Sequence, residues 1–427
     1  LRKCLPLGLI FVIGSILCVS SFSACVAIHA DPTQIDLLPT TTYLGENLLG
    51  TSEGTFQLSS AQWHGIGDDW RLYDHTPQNP SGTPLTIDQL LQAWQQNIDD
   101  HMRAYGFNVV RLAFSFLDSG GVTHNTFNSE LNDVLALFSR NGIGVILDLH
   151  DWADMPNFFG SADWLKDWAN LAQTYKNDTR IIAYEIFNEP FGPNNPPGTS
   201  RIDNWDPSVT GGGCGIPYNN TGKSVKDALA ECVDAIRATG DNHTIIYPDP
   251  WYFNGGNELW HPEWFSNSTD NRPNIVVTFH DWFESPTLQT EANFSTWWNN
   301  LQQEMTLWKE YFPIWIGEFG ISLAANNTDF QQKINAGIIN WTVTNHVGFS
   351  LWTARSNPTD LEQQWSFNEK ALQASAYAPS YTLADFVTFA RAYGSNRTDS
   401  NWNPNCDLNN DGQVDLIDLV ILATHYN

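Results

Sequence analysis

Short runs rich in Val, Ile, Leu and Phe recur between about residues 41 and 375, each followed by a segment with helical spacing. The runs fall at 108–114, 144–149, 181–187, 244–247, 275–279, 314–317 and 348–351. They do not alternate with polar residues, as expected of parallel strands covered on both faces. A further run at 43–49 completes a set of eight. Between the runs, Leu90, Leu91, Trp94, Ile98 and Met102 share one helical stripe, and Thr86 with Gln89 has the spacing of a capping box. Leu131, Val134, Leu135 and Phe138 repeat the stripe and stop at Asn141-Gly142. Val225, Leu229, Cys232, Val233 and Ile236 do so again before Gly240, a helix-stop signal. Eight strand–helix pairs predict an α/β chain, specifically a (β/α)8 TIM barrel with enlarged loops. A doubly wound open sheet is the alternative, but no Gly-rich dinucleotide turn follows any run.

Composition narrows the partners. With 42% hydrophobic residues the 427-residue chain has material for a large core. It carries 47 Asp+Glu against 20 Lys+Arg, a formal charge of −27. So acidic a surface repels phosphate backbones, which sets nucleic acid aside as a partner. Nineteen Trp and an aromatic content of 13% exceed what one core needs, and flat rings suit flat apolar ligand faces.

Residues 1–30 read as an export signal: Arg2 and Lys3, then a nearly unbroken apolar run, then small residues ending at Ala30. The expectation is cleavage and a secreted, extracellular protein, with cell-surface anchoring through this segment as the alternative. Beyond it remain Cys214, Cys232 and Cys406. Cys214 and Cys232 either pair, a link that adds ~3 kcal/mol for a loop of this length, or serve as small apolar fillers.

In a barrel of this type the chemistry sits at the C-terminal ends of the strands. Reading those ends in order gives Arg111, His150 in Asp148-Leu149-His150-Asp151-Trp152, Asn188-Glu189-Pro190, His280-Asp281-Trp282, Glu318 and Trp352. Two glutamates, two histidines and an arginine converge on one rim. Two carboxyls facing one cleft are what glycosidic bond hydrolysis requires, one protonated to assist the leaving oxygen and one ionised to attack. An arginine beside one of them keeps that one ionised. Trp152, Trp251, Trp260 and Trp282 follow strands and are placed to stack on a sugar ring. Trp94, Trp168, Trp297, Trp298, Trp308 and Trp341 lie in helical segments and read as packing residues. No histidine spacing suggests a catalytic metal, so no cofactor is expected for catalysis.

Ile186-Phe187-Asn188-Glu189-Pro190 and Ile316-Gly317-Glu318-Phe319-Gly320 resemble the two signature strands of glycoside hydrolase family 5, and the resemblance covers most of residues 41–375. It implies that Glu189 is the general acid/base and Glu318 the nucleophile of a retaining mechanism. It further implies that Asn188 binds the sugar 2-hydroxyl, that Arg111 and His150 support the carboxylates, and that His280 and Trp352 fill the family's histidine and tryptophan-platform positions. Where the family usually has Tyr two residues after that histidine, this chain has Trp282, with Tyr252 as a second candidate for the same contact.

The chain changes character after about Tyr377. Residues 407–418 fit a twelve-residue calcium loop, with oxygen ligands from Asp407, Asn409, Asp411, the Gln413 carbonyl, Asp415 and Asp418, and Gly412 at the sharp turn. Residues 383–394 align with 416–427, with identities at Leu, Asp, Val, Ala and Tyr. The pair resembles a dockerin module, which implies a structural Ca2+ and either a cohesin-type partner or docking onto the chain's own barrel. The first repeat lacks acids upstream of Asp385, so one ion is expected. The organisation read from sequence is therefore a leader at 1–30, a catalytic barrel at 31–375 and a small all-α calcium-loop module at 376–427. The resemblances imply an endo-β-1,4-glucanase acting on polysaccharide. A β-mannanase, a β-1,3-glucanase or a glycolipid glycanase is the alternative within the family, and a non-catalytic polysaccharide-binding protein the alternative outside it.

Overall fold

The unalternating apolar runs fold as the strands of a closed parallel barrel. The structure, a computed structural model, describes residues 38–43, 46–51, 54–55, 59–66, 86–116, 127–150, 158–188, 225–248, 274–281, 290–320, 328–345, 347–352, 358–375, 383–403, 406–408 and 412–424. A small antiparallel sheet comes first, made of β1 (Leu38–Tyr43), β2 (Glu46–Thr51) and β3 (Gly54–Thr55). The barrel then runs through β4 (Ser59–Ile66), β5 (Val109–Phe114), β6 (Gly144–Leu149), β7 (Ile181–Glu185), β8 (Thr244–Tyr247), β9 (Ile275–Asp281), β10 (Ile314–Phe319) and β11 (Gly348–Leu351). Each strand pairs in parallel with its sequence neighbour, and β11 closes on β4 through Phe349↔Ser59.

The first barrel strand is not where the pattern placed it. The 43–49 run falls across the antiparallel pair β1–β2, where Tyr43 pairs with Glu46. The position in the barrel is taken by Ser59–Ile66, whose sequence Ser-Ser-Ala-Gln-Trp-His-Gly-Ile carries almost no branched apolar residues. Closure between β5 and β11 makes it a strand; local hydrophobicity does not.

Helices follow the strands as the stripes predicted. α1 (Ile87–Asn97) opens on the Thr86/Gln89 capping box with both reciprocal bonds formed. α2 (Phe127–Arg140) ends at Gly142, and α4 (Val225–Ala238) at Gly240, both glycines at positive φ. The remaining wall is α3 (Ala162–Tyr175), which precedes α4, then α5 (Glu291–Lys309), α6 (Thr328–Asn345) and α7 (Pro358–Gln373). Between helices and barrel lies the main core, in which Trp94, Trp168 and Trp308 are fully buried as packing residues, each contributing at least ~2–3 kcal/mol by area burial. Trp297, Trp298 and Trp341 pack half-buried against it. A second, smaller core plugs the barrel interior with Val109, Ile146, Ile182, Ile246, Val276 and Trp315.

The tail forms α8 (Leu383–Ala392) and α9 (Leu416–Thr424) around Phe389, Ala392, Cys406, Leu408, Val414 and Leu422. The internal repeat is visible in its burial. Phe389 and Leu422 occupy equivalent positions and are both buried, while the equivalent Val387 and Val420 are both exposed.

Candidate active site

One hydrogen-bond pattern places several rim residues. The backbone N–H just past one strand donates to the last carbonyl of its neighbour: His150 to Phe114 (2.8 Å) and Trp352 to Phe319 (2.8 Å). Asn188, three residues past β7, reaches the Leu149 carbonyl in the same way at 2.8 Å. The segment leading to Asn188 is further tied down by the Trp168 indole, which donates to the Ile186 carbonyl at 3.0 Å. Two acids, Asp148 and Glu185, are register partners on β6 and β7, and His280 and Glu318 are register partners on β9 and β10. The β9–β10 register shifts between Ile316 and Glu318, at Gly317. A side chain at Gly317 would overlap Thr278 Oγ1, so glycine is required for the two strands to approach at this level.

Arg111, completely buried, is the hub. Its Nε and Nη2 donate to Glu185 at 2.8 and 2.6 Å, and Nη2 also donates to Asn188 Oδ1 at 2.8 Å. Nη1 donates to Glu318 Oε2 at 3.1 Å and lies 3.0 Å from Asp148 Oδ2. On the far side, Asp148 Oδ2 is 2.7 Å from His150 Nδ1, and His150 Nε2 is 3.1 Å from Asn188 Nδ2. The arrangement is satisfied when His150 donates through Nδ1 and accepts from the Asn188 amide through Nε2, which fixes the Asn188 side chain from both ends. The His280 ring lies between two carboxylates, with Nε2 3.8 Å from Glu185 and Nδ1 3.9 Å from Glu318.

Three carboxylates thus crowd one guanidinium out of solvent. Burial works against the charge on Arg111, yet Asp148, Glu185 and Glu318 raise its pKa above the ordinary arginine value. Burial likewise pushes Glu185 up, but Arg111 and then His280 outweigh it and hold its carboxyl down at about 2. Such a cluster, carboxylate-rich and buried at a strand-end rim, has the character of a functional site.

The structure therefore brings together Arg111, His150, Asn188, His280 and Glu318. Trp352 is half-buried at the end of β11, where the Asn368 amide holds its carbonyl at 3.1 Å. Glu189, Trp152, Trp251, Trp260 and Trp282 lie outside the described residues, as do Asn409, Asp411 and the leader. Sequence reasoning gave no role to Asp148 and Glu185. Their signal was present: a charged residue inside an otherwise apolar, fully buried strand must be paired, and Arg111 was the available cation. Cys232 is a free thiol buried in the core, its pKa pushed well up by burial, and Cys214, the other half of the expected pair, lies outside the described residues.

In the tail, Asp407 and Asp418 are buried. Asp418 accepts from the Leu408 and Asp415 backbone N–H groups at 2.7 and 2.8 Å, and Asp407 from Gly412 at 2.9 Å. Gly412 has φ +85°, a turn that only glycine adopts without strain. Asp415 accepts from Ile417 N–H at 2.8 Å, and Gln413 bridges to Asn396. Arg397, Trp402 and Asp407 line one cavity together with Gln95, Asp99, Arg140 and Asn141 of the barrel wall.

Residues 77–358 match the model of the cellulase family, glycosyl hydrolase family 5. The chain is 22% identical over 309 residues to an endoglucanase of Paenibacillus polymyxa, covering 62% of this chain and 72% of that protein. It is 25% identical over 247 residues to endoglucanase G of Acetivibrio thermocellus, covering 49% of this chain and 42% of that one. Its fold is similar to that of an endocellulase from Pyrococcus horikoshii, with TM-score 0.51 and 15% identity, covering 80% of this chain and all of that structure.

Proposed function

The chain belongs to glycosyl hydrolase family 5 and is a glycoside hydrolase, and from that premise we propose that it is a secreted, retaining endo-β-1,4-glucanase. Glu318 attacks the anomeric carbon. Glu189 first protonates the leaving oxygen and then activates the water that releases the sugar. Asn188, its amide held by Arg111 and His150, holds the 2-hydroxyl of the sugar under attack. Trp352 offers a ring face beside it, and Trp152, Trp251 and Trp282 extend that platform along the glucan. The single observation that carries this reading is the Arg111 Nη1–Glu318 Oε2 hydrogen bond inside a buried cluster, because it keeps the attacking carboxylate ionised. The endoglucanases among its relatives support the choice of glucan. The basic and then apolar opening of the chain supports export.

The tail is assigned one structural Ca2+, held by Asp407, Asn409, Asp411, the Gln413 carbonyl, Asp415 and Asp418. The donor set is all oxygen, as that hard cation prefers, and the inward fold of Asp407 and Asp418 about Gly412 is compatible with it. The tail has a dockerin-like design, and two placements are open to it. Docking against the barrel is favoured by the cavity that Arg397, Trp402 and Asp407 share with the barrel wall. The exposed Val387 and Val420 remain for a cohesin-type partner.

Reducing-sugar release across purified β-1,4-glucan, β-1,3-glucan, mannan and xylan tests the substrate. Fastest release from the β-1,4-glucan, with loss of all turnover but not of polysaccharide binding in Glu318→Ala, is the expected result. Preference for mannan would move the substrate assignment, and near-normal turnover by Glu318→Ala would remove the mechanism.

A further inference from the structure

We propose that Glu185 is a positioning residue for the hydrolytic reaction: through Arg111 and His280, it sets the orientation and charge environment of the nucleophile Glu318. The inference rests on Glu318 being that nucleophile.

Glu185 ends β7 with no exposed surface, so it does not touch the glycan. Its two carboxylate oxygens take the Nε and Nη2 edge of Arg111, at 2.8 and 2.6 Å. A planar fork held along one edge has no rotation left. Nη1 is then aimed at Glu318 Oε2, 3.1 Å away, while Nη2 still reaches Asn188 at 2.8 Å. With Glu185 removed, nothing else among the described residues grips that edge twice.

The second link is His280. One ring nitrogen faces Glu185 at 3.8 Å and the other faces Glu318 at 3.9 Å, so the same imidazole feels both carboxylates. Among the described residues, the charged and titratable groups around this ring and around Glu318 are Arg111 on β5, Asp148 and His150 at the end of β6, and Glu185 on β7; Glu189, the acid/base of the proposed mechanism, lies outside the described residues. One guanidinium does not balance three carboxylates, and the His280 ring lies between two of them. The depressed pKa of Glu185, to which His280 contributes, agrees with this coupling.

The sign of the effect follows. Glu185 adds a negative charge near Glu318 and shares the guanidinium that would otherwise serve Glu318 alone. Neutralising Glu185 therefore makes Glu318 easier to ionise, and the acid limb of the pH profile moves to lower pH. The rate falls at the same time, because the loosened guanidinium no longer fixes Glu318 and Asn188 for attack.

The test is the pH dependence of kcat/KM for the full chain, measured on whichever glycan of the panel the wild type cleaves, so a wrong substrate assignment does not affect it. Glu185→Gln is expected to lower kcat by roughly tenfold or more, with KM changed by less than about threefold. Its acid limb is expected to move down by about half a pH unit or more. Glu185→Asp keeps the charge on a shorter arm, so its acid limb stays in place while kcat falls. An acid limb unmoved in Glu185→Gln, or kcat within about twofold of wild type in both variants, overturns the proposal. Should the Gln variant not fold, the Asp variant decides by its fall in kcat with an unmoved limb. Failure of both to fold assigns Glu185 a purely structural role and likewise overturns it.

Discussion

Arg111 holds Glu185 by two hydrogen bonds, at 2.6 and 2.8 Å, and Glu318 by one, at 3.1 Å. The asymmetry separates two jobs within one buried cluster. The doubly held carboxylate is an anchor with no exposed surface, and the singly held one keeps a small exposed face. A single guanidinium thus binds both carboxylates while contacting Glu318 through one oxygen, the arrangement the proposed nucleophile needs.

Replacing the fork with a point charge tests that division. Arg111→Lys retains one positive charge but cannot grip Glu185 along an edge while reaching Glu318 and Asn188. The expected outcome is a fall in kcat of roughly a hundredfold with a smaller change in KM. Steady-state kinetics on a soluble glucan measures it, and activity within about fivefold of wild type would show the fork to be dispensable.

The stereochemistry of the first product is a second check. A nucleophilic Glu318 facing Glu189 requires a carboxyl separation of ~5–5.5 Å and a covalent intermediate, so the anomeric configuration is kept. Proton NMR within the first minutes of cleaving a β-glucan should show β product before mutarotation. An α signal appearing first would indicate an inverting mechanism.

Stability should respond to acid through the same cluster. The Glu185 carboxyl titrates from 4.5 in an ordinary setting to about 2 in the fold, because Arg111 and His280 outweigh its burial. A depressed carboxylate pKa stabilises the fold above the unfolded value, and that contribution is lost as pH falls through the folded one. Asp178 beside Arg180, and Asp241 beside His243, are lowered against the pull of burial and act in the same direction. Thermal melts from pH 6 to pH 2 should therefore fall most steeply below about 4.5. Glu185→Gln should be less stable than wild type at pH 6 and approach it near pH 2. A constant difference across that range would mean that Glu185 is not ionised in the fold.

Gly317 gives a local packing test. A methyl group there meets Thr278 Oγ1, so Gly317→Ala forces β9 and β10 apart at the level of the His280–Glu318 pair. The expected cost is about 1–3 kcal/mol of stability, together with a drop in kcat. Adding Thr278→Ala removes the obstructing oxygen and should recover part of both losses. Independent, additive effects of the two substitutions would show that the clash is not the cause.

The ease of reading this molecule from sequence varied with how local each signal is. Strands β5 to β11 were legible because residues buried on both faces leave unbroken apolar runs. Helices α1, α2 and α4 were legible because Thr86, Gly142 and Gly240 mark their ends. β4 was not, because Ser59–Ile66 becomes a strand only when β5 and β11 close around it. Within the site, Arg111, Asn188, His280 and Glu318 stood out by their motifs. Asp148 and Glu185 did not, since their meaning depends on a cation 37 or 74 positions earlier in the chain and is fixed only by barrel register.

The tail offers a metal test that does not depend on catalysis. Asp407 and Asp418 are buried acids of one loop, and both accept hydrogen bonds from backbone N–H groups. A calcium ion binding there would stabilise the tail by an amount that grows with the logarithm of its concentration over Kd. Metal-stripped full-length protein should therefore show a low-temperature transition in calorimetry that moves up on adding calcium, while the barrel transition stays in place. Isothermal titration should give one site per chain. Asp407→Ala should abolish both responses without changing glycan hydrolysis, since among the described residues none of the groups around Glu318 belongs to the tail. Unmoved transitions and no titration heat would leave Asp407 and Asp418 as a purely hydrogen-bonded turn.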